Sequence, residues 1–220
     1  MVENLSAYIP VDRRLALTEG ESLPERTKGA ALFADISGFT PLTEALALEL
    51  GPRRGAEELS ILLNQALDAI ISPIHRFSGS VLGFAGDAVI CWFDQDVGGR
   101  GIAAALGIQE AMRSFETVQT PSGSEYFLGV KVAVVTGPVR RFMVGDPDYV
   151  MVDIMAGQTL DTLSEAEGLA ERGDILLDEA AAQDLADDLR ITGWRQAEVT
   201  GRRYALVSDF SLEIPETPWP

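Results

Sequence analysis

Two aspartates carry the chemistry that this sequence offers most directly. Asp35 stands near the end of the apolar run 30–36, and Ser37-Gly38-Phe39-Thr40-Pro41 follows at once as a glycine turn and a helix start. Asp87 lies 52 residues further on, in a Gly86-Asp87 pair that divides the apolar stretch 80–93. At a helix start the peptide N–H groups of Ser37, Gly38, Phe39 and Thr40 point outward and favour anions such as phosphate. A carboxylate beside such a turn suggests a divalent metal between them, since Mg2+ takes one or two carboxylates together with substrate phosphates. Two acids sharing a site repel each other, and metal cations remove that cost. With two Mg2+ or Mn2+ ions, Asp35 and Asp87 would activate an oxygen nucleophile and hold a triphosphate. Spacing alone leaves a plainer alternative level with this one, in which Asp35 ends a strand and Asp87 makes a turn.

Both aspartates need strands to present them. Residues 30–36 read as a buried strand, being short, apolar and bounded by glycine. Thr40 is the expected N-cap of the next helix and Pro41 its first residue, and Gly51-Pro52 closes it. Leu59, Leu62, Leu63, Ala66, Leu67 and Ile70 open an apolar stripe at three- and four-residue steps, which predicts a long helix over about 55–77, kinked at Pro73. Gly86-Asp87 between apolar runs is a hairpin signal, and its second strand, apolar on both faces, is expected to be central. Further helices are expected over about 97–117, 157–170 and 179–189. Strands are expected over 127–136, 139–144, 149–154, 174–177, 194–199 and 203–207, with a turn at Gly137-Pro138. This order predicts an α+β domain with helices on one face of a mostly antiparallel sheet. Residues 1–28 read as an arm anchored by Leu5, Tyr8, Ile9, Leu15 and Leu17, residues 29–208 as one domain, and the Pro-rich stretch 209–220 as a linker.

A formal net charge of −17 excludes a polyanionic partner such as nucleic acid, because no basic stripe offsets it. An anionic nucleotide remains compatible where metal ions screen the carboxylates. The lone cysteine, Cys91, lies in an apolar run and reads as a buried inert thiol in a reducing compartment. No apolar run approaches the roughly 20 residues that span a bilayer, and the N-terminus has no segment of signal-peptide type, so a cytoplasmic protein without a membrane partner is expected. His75, the single histidine, falls near a helix C-terminus where a positive charge is favoured, and a zinc site has no second ligand to build on.

The letters of the two motifs tip the balance between the readings. Phe33-x-Asp35-Ile36-x-Gly38-Phe39-Thr40, followed by Gly86-Asp87-Ala88 in a hairpin, closely resembles the catalytic domain of the class III adenylate and guanylate cyclases over about residues 29–180. The resemblance implies a ferredoxin-like cyclase fold that works as a head-to-tail dimer with the active site at the interface. It implies that Asp35 and Asp87 bind two metal ions with help from the Ile36 carbonyl, and that Ser37, Gly38, Phe39 and Thr40 hold the phosphates. The ribose 3′-hydroxyl of ATP would attack the α-phosphate, giving cyclic AMP and pyrophosphate. Arg140 and Arg141, just after Gly137-Pro138, are expected either to reach the triphosphate or to end a strand in solvent.

The second half of the family site departs from this pattern. Gly83 stands where the family has a purine-reading lysine, Ile154 where it has the other base reader, Asp161 where it has an asparagine, and Glu165 where it has an arginine. A glutamate in place of a transition-state arginine opposes the charge it should stabilise. Within the family, the chain looks like the first cyclase domain of the soluble, bicarbonate-responsive adenylate cyclases and their large bacterial relatives. That domain supplies the metal aspartates, while the second supplies lysine, asparagine and arginine. The implied partner is therefore a complementary cyclase domain, and the lysine that meets bicarbonate in that type again falls on Gly83. The alternative is a non-catalytic cyclase-homology module that binds nucleotide or regulates a partner by pairing. A diguanylate-cyclase-like palm domain fits less well, because its Gly-Gly-acidic turn is absent.

Overall fold

The computed structural model describes residues 9–146 and 150–220. Leu5, Tyr8 and Tyr149, which the sequence marked as arm anchors and a strand start, lie outside the described residues. A short helix α1 (Val11–Thr18) leads into β1 (Arg26–Ser37), then α2 (Phe39–Leu50) and the long α3 (Pro52–Arg76). The hairpin β2 (Ser80–Ala85) and β3 (Ala88–Asp94) follows, with α4 (Gly99–Met112) and a small pair, β4 (Val118–Gln119) and β5 (Glu125–Tyr126). The second half comprises β6 (Gly129–Asp146), β7 (Val150–Ala156), α5 (Gln158–Leu169), β8 (Ile175–Asp178), α6 (Glu179–Asp184), β9 (Leu189–Gln196) and β10 (Arg203–Phe210).

Among the described residues, eight strands form one sheet in the order β2-β3-β1-β6-β8-β10-β9, with β7 paired to the outer half of β6. Every pairing is antiparallel except β6 with β8. β1 is buried because its alternate residues meet two cores. Ala30, Leu32, Ala34 and Ile36 face α2, α3 and α4, while Ala31 and Phe33 face α5 with Trp92, Ala133 and Tyr204. Helices thus cover both faces, where the sequence pattern placed them on one. The reason is α5, whose Leu163, Ala166 and Ala170 supply a second apolar surface.

Three expected boundaries move. Gly137-Pro138 is no turn, because β6 runs straight through it. On the edge of β6 away from β1, β8 pairs with residues 132–134 and β7 with residues 140–146, so Pro138 falls in the gap where a missing N–H costs no ladder bond. Its carbonyl is satisfied by the Thr159 hydroxyl at 2.8 Å. α6 stops at Asp184 and β9 starts at Leu189, so the expected helix over 179–189 is shorter and the following strand earlier. Pro73 is accommodated within α3, which continues to Arg76.

α1 is clamped to the sheet by a buried ion network. Arg13 donates to Asp153 from Nε at 3.2 Å and from Nη2 at 3.3 Å, and Arg141 bridges Asp153 and Asp12 at 2.5 Å each. The chain end lies over the C-terminus of α3, with Trp219 Nε1 donating to the Gly79 carbonyl at 2.7 Å. No helix among the described residues is long and apolar enough to cross a membrane.

Candidate active site

β1 ends beside the β2–β3 turn, and that register brings the two aspartates together. Asp35 pairs with Ala88 on one side and with Lys131 on the other. Ala88 directly follows Asp87, so Asp87 sits at the tip next to Asp35, and its charge helps to raise the Asp35 pKa. Gly86 is the one turn residue with positive φ (68°), the position a two-residue II′ hairpin reserves for glycine.

The turn after β1 is built by Gly38 rather than by Thr40. Gly38 has φ 101° and is the N-cap of α2, which begins at Phe39 with no side-chain cap. A Cβ there would stand 2.3 Å from the Phe127 carbonyl oxygen, so both conformation and space require glycine. The expected N-cap Thr40 instead lies exposed in the first turn, and Pro41 follows it where a missing N–H is harmless. Phe39 and Ile36 are buried and fix the turn to the core. The first N–H groups of α2 are consequently left for an external acceptor.

Lys131 is the residue that sequence reading missed. Its ammonium lies 3.3 Å from Asp35 Oδ2 and 2.6 Å from Glu167 Oε1 on α5. Burial pushes the Asp35 carboxyl above the usual carboxylate range, Lys131 opposes this, and Asp87 and Glu167 add to it. For Lys131 burial works against the charge, but Glu167 and Asp35 outweigh it and hold its pKa above the ordinary lysine value. A lone lysine in the strand run Val130-Lys131-Val132-Ala133 was the available signal, yet its partner could be known only from the register.

Among the described residues, no three or more His, Cys, Asp and Glu side chains form a metal cluster. Two adjacent carboxylates, with the Ile36 carbonyl at the same strand end, match an ion that arrives with its own phosphate ligands rather than one held in an all-protein cage. A half-buried carboxylate of raised pKa is the group that such a cation relieves.

Other sequence candidates go elsewhere. Arg140 lies opposite Arg26, nine residues along β6 from Lys131, hence about 30 Å from the Asp35 end of the same chain. It pairs with Glu25 at 3.2 Å and stacks 5.7 Å from the Phe142 ring centroid. Arg141 is buried in the network under α1. Glu165 accepts from the Tyr204 hydroxyl and from the Thr200 hydroxyl, each at 2.7 Å, which makes it a brace between α5 and the β9–β10 hairpin. Asp161 is exposed in the first turn of α5, and Ile154 is exposed on β7. At Gly83 an added Cβ meets nothing within 4 Å, so the site has room for the side chain that is missing. Cys91 is buried, and burial holds its thiol far above the ordinary range. His75 sits in the last turn of α3, and burial and Arg14 hold its pKa below the usual imidazole value.

No family model matches the chain. Adenylate cyclase type 10 of Rattus norvegicus is 30% identical over 186 residues, which is 80% of this chain and 11% of that protein. The chain therefore spans only about a tenth of the length of the first curated relatives it matches. Among solved structures, the adenylyl cyclase CyaB from P. aeruginosa superposes with TM-score 0.67 at 23% identity, covering 86% of this chain and 98% of that one. The guanylyl cyclase Cya2 superposes with TM-score 0.69 at 20% identity, covering 84% and 93%.

Proposed function

The chain is a class III nucleotide cyclase homology domain, and from that premise we propose that it is the metal-donating half of a cyclase converting ATP to cyclic AMP and pyrophosphate. The observation that carries this reading is the register that sets Asp35 beside the Asp87 turn and an uncapped helix start. Asp35, Asp87 and the Ile36 carbonyl would hold Mg2+ or Mn2+, which when bound screens the triphosphate and acidifies the ribose 3′-hydroxyl. The N–H groups of Phe39 and Thr40 hold phosphate oxygens, with Ser37 and Gly38 shaping the turn that aims them. Lys131 exchanges part of its contact with Asp35 for the phosphate charge that takes its place. Gly83, Ile154, Asp161 and Glu165 provide neither a base reader nor a transition-state cation, so a complementary domain bearing lysine, asparagine and arginine must supply them, in cis or in trans.

The test is production of cyclic AMP from ATP and Mn2+, followed by chromatography, with the chain alone and with such a complementary domain. Turnover is expected for the pair, and its loss with Asp35→Ala or Asp87→Ala. Turnover by the purified chain alone well above its D35A control would overturn the division of labour. A second reading, a nucleotide-binding module that regulates its partner without chemistry, is favoured by the commitment of Glu165 to the chain's own packing. It predicts binding of a non-cyclisable ATP analogue that D87A abolishes, with no product from any pairing.

A further inference from the structure

Two successive register pairs on the α5 side of the sheet lead toward the turn. The first is Asp35 opposite Lys131, and the second, one side-chain step nearer the turn, is Ser37 opposite Gly129. A Cβ on residue 129 would lie 2.5 Å from Cγ and 2.7 Å from Cδ of Arg172. Glycine at this position is therefore the seat of the Arg172 stem, which comes in from the loop between α5 and β8 and crosses the strand. Arg172 Nε donates to Ser37 Oγ at 3.1 Å, and Ser37 Oγ donates to the Gly129 carbonyl at 3.3 Å.

The flanking acids do not compete for this guanidinium. Glu171 and Asp174, on either side of Arg172 in sequence, are both taken by Arg195, at 3.2 and 2.9 Å. Among the described residues Ser37 is the one hydrogen-bond partner of Arg172, and no carboxylate pairs with it. In a chain of net charge −17, an arginine is thus seated over a glycine and tethered by Nε, with its two terminal nitrogens uncommitted beside the turn. Guanidinium nitrogens in that state suit a phosphate, which they bind through two parallel N–H donors.

We propose that Arg172 is a phosphate-binding residue of this chain, which with Lys131 flanks the polyphosphate of the bound nucleoside triphosphate. The assignment rests on the cyclase reading above. It makes the chain contribute two cations of its own to the polyphosphate, while the base and the transition-state charge are left to the partner domain. Because Arg172 is exposed, its removal leaves the fold intact.

Calorimetric titration of the chain in Mn2+ with adenosine 5′-(α,β-methylene)triphosphate, and separately with inorganic pyrophosphate, tests it against D87A, R172A and R172K. Binding by the parent and its abolition in D87A are expected from the cyclase reading. R172A is expected to lose about tenfold in affinity for both probes with an unchanged melting temperature, and R172K to recover part of the loss because it keeps the charge without the fork. R172A binding within twofold of the parent, with D87A inactive, overturns the Arg172 assignment and leaves the cyclase reading standing. No metal-dependent binding by the parent, or D87A binding as the parent does, overturns both.

Discussion

Replacing Lys131 by methionine tests the electrostatics of the site directly. The ammonium stands 3.3 Å from Asp35 Oδ2, and the two side chains are 20% and 25% exposed. At that separation the attraction is roughly 1 kcal/mol in a water-like medium and about 5 kcal/mol at an effective dielectric of 20. Partial exposure and the entropy of the lysine pull the usable part toward the lower end. A cation that binds the nucleotide-free chain must displace this contact, and K131M also frees Glu167, which Lys131 holds at 2.6 Å. Removing about 1.4 kcal/mol of competition corresponds to a tenfold tighter binding of Mn2+. The sign of the pH dependence follows from Asp35. Its carboxyl is raised by burial and lowered by Lys131, so protons compete with the ion from a higher pH than at an ordinary carboxylate. Binding weakens as pH falls through that raised value, and without Lys131 the decline begins at a higher pH still. Calorimetric Mn2+ titrations between pH 5 and 8 on both proteins read out both effects. Equal or weaker Mn2+ affinity in K131M at the upper pH, with an unmoved pH profile, would refute the argument.

Two further substitutions probe the supports of the site. Gly38→Ala forces a side chain into a residue at φ 101° and within 2.3 Å of the Phe127 carbonyl, so denaturant unfolding should show a loss of about 2–3 kcal/mol; full stability would show that the turn relaxes freely. Asp153→Asn leaves Arg13 and Arg141 buried without their shared carboxylate and should cost about 3 kcal/mol by the same measurement, the penalty of breaking a buried ion pair from one side, whereas a loss under about 1 kcal/mol would mean that α1 lifts away and resolvates both arginines.

What the sequence could reveal was what local patterning encodes. The strand before Ser37, the hairpin at Gly86-Asp87 and the long α3 all follow from short apolar runs, periodicity and turn glycines, and each forms near its expected place. Gly137-Pro138 misled because proline marks a turn by its own geometry, whereas its tolerance here depends on which strands pair with β6 on either side of it. Thr40 misled in the same way, since a threonine is a good cap but a left-handed glycine two residues earlier had already started the helix. Lys131 stands out locally only as a lone lysine in an apolar run, and Arg172 not at all; neither shows its partner. One meets Asp35 through strand register and the other meets Ser37 across a glycine that leaves room for it, and both relations join residues far apart in sequence. Arg140 shows the converse, since an arginine near a glycine turn looked close to the site and lies at the far end of a continuous strand.

Two of the departures from the family pattern, Gly83 on β2 and Glu165 on α5, differ physically, and the difference bears on how this domain is used. Gly83 is a bare position. Nothing in the structure depends on the absence of its side chain, and an added Cβ stands in open space. Glu165 is occupied by the fold itself. Tyr204 is fully buried, its hydroxyl donates to Glu165, and burial together with that carboxylate pushes the tyrosine pKa far up. Arg202 adds a cation 3.5 Å from the same carboxylate. An arginine at 165 would remove one of the two acceptors of the Tyr204 hydroxyl, leaving the Thr162 carbonyl at 3.2 Å, and would set two guanidiniums against each other beside the β9–β10 turn. Under the proposed division of labour, an arginine at position 165 would therefore conflict with the packing of the sheet behind α5, which favours supplying that cation from a partner domain. Asp35 and Lys131 at the end of the sheet, with Arg172 from the α5–β8 loop, lie beside the turn, while α5 commits Glu165 to holding the chain together.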